Sequence, residues 1–296
     1  MLKQKLLNEY KKYDYLNQNK THSLIKILVS YIKPSFLFKS EILTPIHLGR
    51  VVEKEISKEG YISEEDLKWL HENCIGDDDF EGNISHVNRR VGFLTGTYWA
   101  WKNYKKLDNP DYFGSFGYRR LLKNIELEKI QDYDCIISKP RHISITYEER
   151  LIDYLGSDFY TKVINTISSV ISSEIKDVLE YLAQNEVYFD EIYIMKKELF
   201  FLFCEWIFPI IFKLLEISPD YSINPQKITT KDILIQKNEF RDLAYVAEFL
   251  TGYYIKNHVI NNNKIFVYAD LDVLYKDKKT DMINVLRKRL LKKGLI

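Results

Sequence analysis

Apolar positions in this chain fall into short unbroken runs and longer stretches at helical spacing, and the two kinds alternate. Ile25 to Val29 (IKILV), Tyr112 to Gly117 and Tyr133 to Ser138 (YDCIIS) are short apolar runs that predict buried strands. Lys33-Pro34 and Lys139-Pro140 close the first and last of them. Glu191 to Met195 and Lys264 to Tyr268 (KIFVY) read as two later strands. Helical spacing marks Met1 to Leu16, Glu64 to Asn73, Val91 to Tyr104 and Asp242 to Ile255. Ser63, three residues before Asp66, is the expected cap of the second of these. From Tyr160 to Gln184 an apolar stripe from Val163 to Leu182 predicts one long helix. Gly76 to Gly82 (GDDDFEG) reads as a solvated acidic loop, and Asp108-Asn109-Pro110 as a turn.

Strands alternating with helices predict an α/β sheet domain over residues 23–275, with a helical insert at about 160–215 packed beside it. An amphipathic helix over residues 1–22 and a basic amphipathic helix over 276–296 flank it. The most apolar stretch, Leu199 to Leu215, is interrupted by Glu205, Pro209 and Lys213, which favours a buried core helix over a membrane span. The first twenty residues are charged throughout, unlike a secretory signal.

Composition narrows the function classes. With 43 basic and 42 acidic residues the net charge is +1, which argues against a nucleic-acid binder. Cys74, Cys135 and Cys204 are too scattered for a zinc site or a disulfide framework and suit a reducing cytoplasm. The 22 Tyr and 16 Phe suit a carbohydrate or nucleotide cleft, although most aromatic residues simply fill cores.

Candidate chemistry concentrates between Asn83 and Leu122. Tyr118, Arg119 and Arg120 end the strand at Tyr112 to Gly117, and two adjacent guanidiniums there call for an anionic partner such as a diphosphate. The plainer alternative pairs one of them with an acid such as Asp111. On the preceding helix, Tyr98 and Lys102 share one face, while Trp99 and Trp101 diverge, one towards the core and one towards a cleft. Asn83, Ser85 and Asn88 form a polar loop suited to sugar hydroxyls or to helix capping. Glu248, on the otherwise apolar AYVAEFL, needs a partner. Asp190, Glu191 and Glu248 are the carboxylates suited to general-base work. Asp270-Leu271-Asp272 reads as a polar turn closing an edge strand. The six histidines show no metal-ligand spacing, so His47 and His142 read as fillers. Arg287-Lys288-Arg289 and Lys292-Lys293, interleaved with leucines, suit either an anionic bilayer or a docked helix.

Several motifs resemble a bacterial family of capsular and exopolysaccharide glycosyltransferases long known only as a domain of unknown function. The matching residues include Lys33-Pro34, Pro45-Ile46-His47-Leu48-Gly49, Asn83-Ile84-Ser85 and Thr95-Gly96-Thr97-Tyr98-Trp99-Ala100-Trp101-Lys102-Asn103. Tyr118-Arg119-Arg120, Ile194-Met195-Lys196-Lys197-Glu198, Cys204-Glu205-Trp206 and Arg241 with Glu248 and Leu250 continue the match. The chain departs from the family pattern at Tyr31 and Gly117, each in place of a histidine, at Phe93 in place of a glutamate, and at Phe249 in place of an arginine.

The resemblance implies a GT-A-like, Rossmann-type domain that takes a nucleotide sugar as donor and a glycan or lipid-linked glycan as acceptor. Donor contacts are then expected from Tyr31, Asn83, Ser85, Asn88, Thr95, Tyr98, Trp99, Trp101, Lys102, Tyr118, Arg119 and Arg120. GT-A enzymes commonly hold a metal on the diphosphate through an Asp-x-Asp. Here Gly117-Tyr118-Arg119 stands in that place, so the arginines are expected to replace the ion, with Mg or Mn as the alternative. A catalytically inactive relative that binds or scaffolds glycans is the rival reading. The expected location is the cytoplasm, at the inner face of the plasma membrane if the basic tail binds lipid.

Overall fold

The computed structural model of the chain describes residues 13, 16, 18–55, 61–123, 125–188, 191–218 and 242–273. The expected terminal helices, Asp190 and Arg241 therefore lie outside the described residues.

An eight-stranded mixed sheet organises the molecule. The first strand, β1 (Ile25–Tyr31), is buried at every position but Lys26, as expected for a parallel strand covered on both faces. Its side chains alternate between two cores: Ile25, Ile27, Val29 and Tyr31 enter one and Leu28 the other. On one side β1 pairs in parallel with β2 (Leu43–His47), which pairs with the short β3 (Ile75–Gly76). On its other side β1 pairs in parallel with β4 (Tyr112–Gly117). The chain therefore runs outward from β1 to β3 and then returns across β1 to β4. Such a reversal opens a crevice beyond the carboxyl ends of the two central strands.

Beyond β4 the sheet mixes directions. A hairpin leads to β5 (Arg120–Lys123), with Gly117 opposite Arg120. Then follow β6 (Cys135–Ser138) and a small separate ribbon of β7 (Arg141–His142) with β8 (Glu186–Val187). The strand β9 (Tyr193–Lys196) inserts antiparallel between β4 and β6. Finally β10 (Phe266–Val273) lies between β6 and β5. Gly114 permits the close approach of β1, β4 and β9, because a Cβ there would sit 2.9 Å from Ile27 Cγ1 and 3.1 Å from the Tyr193 carbonyl oxygen.

Two sequence expectations change at the sheet. The strand at KIFVY runs on through Asp270-Leu271-Asp272, which pair with Lys123, Leu122 and Leu121. This segment is thus neither a turn nor an edge, because β5 supplies the partner that the linear sequence does not show. The Gly76 to Gly82 loop is not wholly solvated either, since Asp77 is 1% exposed.

Helices cover the sheet. Ser63 accepts a hydrogen bond from the Asp66 N–H and caps α1 (Glu64–Asn73) as expected. The helix expected from Val91 to Tyr104 is split by Gly92, whose φ of 60° ends α2 (Asn88–Val91) before α3 (Leu94–Lys102) begins. The single helix expected over 160–184 also divides. Upstream of it lies α4 (Tyr147–Leu155), opened by a capping box of Thr146 and Glu149. Next come α5 (Ser157–Val170), a tight turn at Ser172–Glu174 and α6 (Ile175–Leu182). Tertiary bonds hold that break: Glu174 accepts from Trp206 Nε1 at 3.3 Å and the Tyr253 hydroxyl at 2.9 Å, and meets His258 Nε2 at 2.8 Å. The apolar run forms α7 (Lys197–Ile217), which buries Phe200, Phe203, Ile207 and Ile211. The last described helix, α8 (Asp242–Tyr254), continues into a π-helical turn. No helix among the described residues is long and apolar enough to cross a membrane.

Candidate functional site

The carboxyl ends of β1 and β4 bring the sequence candidates to one edge of the sheet. Tyr118 and Arg119 form the turn of the β4–β5 hairpin, and the Tyr118 N–H donates to the Ser30 carbonyl at 3.1 Å. The Tyr118 ring stacks on Tyr31, centroids 5.4 Å apart at 21°, and the Arg119 guanidinium lies 5.0 Å from the Tyr118 ring centre. Both arginines are half-buried. Asp111 precedes β4 at its opposite end and accepts the Leu24 N–H at 2.7 Å. Six strand residues, roughly 20 Å of chain, separate it from the hairpin, so an arginine pairing with Asp111 is excluded.

Glu191 lies two residues before β9, whose first residue, Tyr193, stands opposite Ser115, so the chain enters β9 from the side of the β4 carboxyl end. The Glu191 backbone is left-handed at φ 48° and the residue is 8% exposed. Glu191 and Glu248 also meet electrostatically at Tyr147. Burial raises that phenol well above its ordinary value, and the charges of Glu248 and then Glu191 add to the effect while Arg150 opposes it. Tyr147 opens α4 and packs edge-on against Phe249 of α8, whereas Glu248 and Glu191 come from α8 and the β9 approach. The charges of two carboxylates from distant segments thus act on one buried phenol.

Other candidates are committed to the framework. Tyr31 is fully buried, and its hydroxyl donates to the Phe36 carbonyl and accepts from the Phe38 N–H, both at 2.8 Å. Asn83 donates to the Phe80 carbonyl at 2.9 Å and accepts the Ser85 N–H. Ser85 donates to Asp77 at 2.5 Å, and Asn88 donates to Thr95 Oγ1 at 2.9 Å and to the Gly92 carbonyl at 2.8 Å. Asp77, which the sequence reading set aside, ties these groups to the end of β2. It accepts the N–H groups of Gly49 at 2.7 Å and Arg50 at 3.1 Å. Burial raises the Asp77 carboxyl above the ordinary range despite these donors. A run of three aspartates carries no signal for which one turns inward.

The two tryptophans diverge, one into the core and the other onto α7 rather than into a cleft. Trp99 is buried, with its indole N–H on Asp79, whereas Trp101 stacks on Phe208 of α7 at 5.5 Å and 5°. Lys102 Nζ lies 3.4 Å from the Trp101 ring centre, and Tyr98 packs edge-on against Phe208 and Phe212. The Tyr98–Lys102 face therefore lies along α7. At the other departure from the motif, the Phe93 ring fills the space beside Gly117, 3.4 Å from where a Cβ would stand.

The family follows from the sequence itself. A family described as a domain of unknown function, DUF4422, matches residues 26–262. The chain belongs to this family. No curated protein matches it. Among solved structures, the apo form of WbbM, described as a bifunctional glycosyltransferase, is similar in fold, with a TM-score of 0.66 at 20% identity. The match covers 86% of this chain and 46% of that one, so this DUF4422 chain corresponds to about half of the larger protein.

The hairpin turn itself carries no carboxylate for a hard divalent ion. Gly117, Tyr118 and Arg119 offer no carboxylate, and Asp270, on neighbouring β10, is bonded to Lys139 Nζ at 2.7 Å.

Proposed function

We propose that this DUF4422 protein is a glycosyltransferase of GT-A type that moves a sugar from a nucleotide sugar to a bacterial surface-polysaccharide acceptor. One observation carries the reading: Tyr118 and Arg119 form the turn at the carboxyl end of β4, with Arg120 beside them, and the chain carrying Glu191 enters β9 from the side of that end. Arg119 and Arg120 grip the donor diphosphate and stabilise charge as the nucleoside diphosphate leaves. Glu191, or Glu248 across the Tyr147 phenol, takes the proton of the acceptor hydroxyl in an inverting reaction. The fold likeness to a glycosyltransferase supports this assignment. The acceptor is a glycan or lipid-linked glycan, and the basic segment 276–296 gives peripheral contact with the inner face of the plasma membrane.

A panel of nucleotide sugars, read by thermal shift and by release of nucleoside diphosphate, tests the proposal. Arg119→Ala is expected to weaken donor binding about tenfold or more, the worth of a charge-assisted contact. Unchanged donor affinity in that variant removes the diphosphate assignment. A second reading, an inactive glycan-binding relative, is favoured by Phe93 packed against Gly117 where the resembled family keeps polar groups. Donor binding with no release in the presence of acceptor selects it.

A further inference from the structure

A cluster away from the arginine hairpin combines metal-ligating groups from three elements. His47 closes β2, Glu53 follows the helical turn at Arg50–Val52, and His71 lies in the last turn of α1. Glu53 Oε2 stands 2.8 Å from His71 Nε2 and 3.6 Å from His47 Nδ1. The three ligand atoms all lie within 4.8 Å of one another. Ligand atoms of one tetrahedral ion, bound at about 2.0–2.1 Å, sit roughly 3.3 Å apart. The observed spacings bracket that value, so small side-chain rotations close the set around an ion. His47 is held inside by its strand, while the His71 side chain is 46% exposed and gives an ion a route in.

The donor set also selects the metal. Two imidazoles and one carboxylate suit zinc and its neighbours, and they are too poor in oxygen for calcium or magnesium. Arg50 and Arg89 are the nearby cations. Arg50 Nη2 donates to the Cys74 carbonyl, and Arg89 Nη2 donates to the Val52 and Glu55 carbonyls. Arg50 Nε also approaches His47 Nδ1 at 3.5 Å, a long contact that yields to a coordinate bond. Their positive charge further disfavours a weakly held hard cation.

We propose that His47, Glu53 and His71 bind one zinc-class divalent ion. Its fourth position faces the cleft that His47 and Glu53 line with Ile32, Leu48 and Arg89, and takes water or an anionic oxygen. The ion clamps α1 to the end of β2, beside the chain reversal. This site is independent of glycosyl transfer.

Untagged full-length protein, stripped with chelator and dialysed, is titrated with Co2+ and then with Zn2+. The expected result is one ion per chain, visible absorption bands of four-coordinate Co2+, and their loss as Zn2+ displaces it. His71→Ala, at a half-exposed helix position, is expected to lose the bands and weaken Zn2+ binding roughly 100-fold, with the melting temperature of the metal-free protein unchanged. Glu53→Gln should weaken binding in the same direction. Wild-type protein that shows neither Co2+ bands nor Zn2+ uptake overturns the proposal and leaves an ordinary His–Glu contact. Binding that survives His71→Ala overturns it equally. No nucleotide is present, so failure here does not touch the donor-site assignment.

Discussion

Single residues at this sheet edge divide between chemistry and framework according to where their polar atoms are spent. Tyr31 stands at the carboxyl end of β1, where a ligand contact was expected, yet its hydroxyl serves Phe36 and Phe38. Tyr31→Phe should leave a buried carbonyl and N–H without their partner and cost about 1–3 kcal/mol of stability. Urea denaturation measures this, and an unchanged midpoint would show that the loop does not depend on the hydroxyl. The place of Arg119, just past a buried strand, was legible in advance, because β4 ends where its apolar run ends. Asp77 and His47 were not. Nothing in a run of aspartates, or in a lone histidine after Pro45-Ile46, indicates burial. At His47 burial, reinforced by the charges of Arg50, His71 and Arg89, pushes the imidazole down to about 3, so the ring is neutral at physiological pH.

Among the elements, β9 and β10 decide what the first half of the chain becomes. Asp134 ties both to β6: its carboxylate accepts from Lys196 Nζ at 2.8 Å and from the Ile265 N–H at 2.9 Å. Partial burial pushes that carboxyl up, but the Lys196 and Ile265 bonds and the Lys196 and Lys264 charges outweigh it, so it is lowered below 3.8. For a lowered carboxyl the stabilisation is complete above the unfolded value of 3.8 and is lost as pH falls through the folded one. Denaturation midpoints followed from about pH 7 to about pH 2 should therefore fall less steeply at the acid end in Asp134→Asn than in wild type. An identical acid limb would refute the linkage. Most elements were legible from periodicity, including α1 with its cap and β4 to the residue. The helix over 160–184 was not, because its apolar stripe runs on through a break that Trp206, Tyr253 and His258 stabilise from other segments.

For the whole molecule, the two cores enclose all three cysteines without pairing them. Burial raises the Cys74 thiol to about 12 and pushes Cys135 and Cys204 up as well. The thiolate is the reactive form, so native protein should leave its thiols unmodified by a disulfide reagent at neutral pH. The denatured chain should titrate all three. A thiol that reacts at once under native conditions would mean that one core opens locally. The same assay follows the cooperativity of the fold, since Cys74 lies in one core and Cys135 and Cys204 in the other.

By itself the sequence determined the α/β class, most strands and helices, the arginine pair at a strand end and the family. All of these rest on local pattern, where neighbours a few residues apart share a face or a turn. Tertiary structure alone decided which acids and histidines act together. The chain carrying Glu191 approaches the carboxyl end of β4 only because β9 inserts antiparallel beside β4. Glu53 meets His71 only because α1 folds back over the end of β2. These partners are set by sheet order and packing, interactions that no short window of sequence contains.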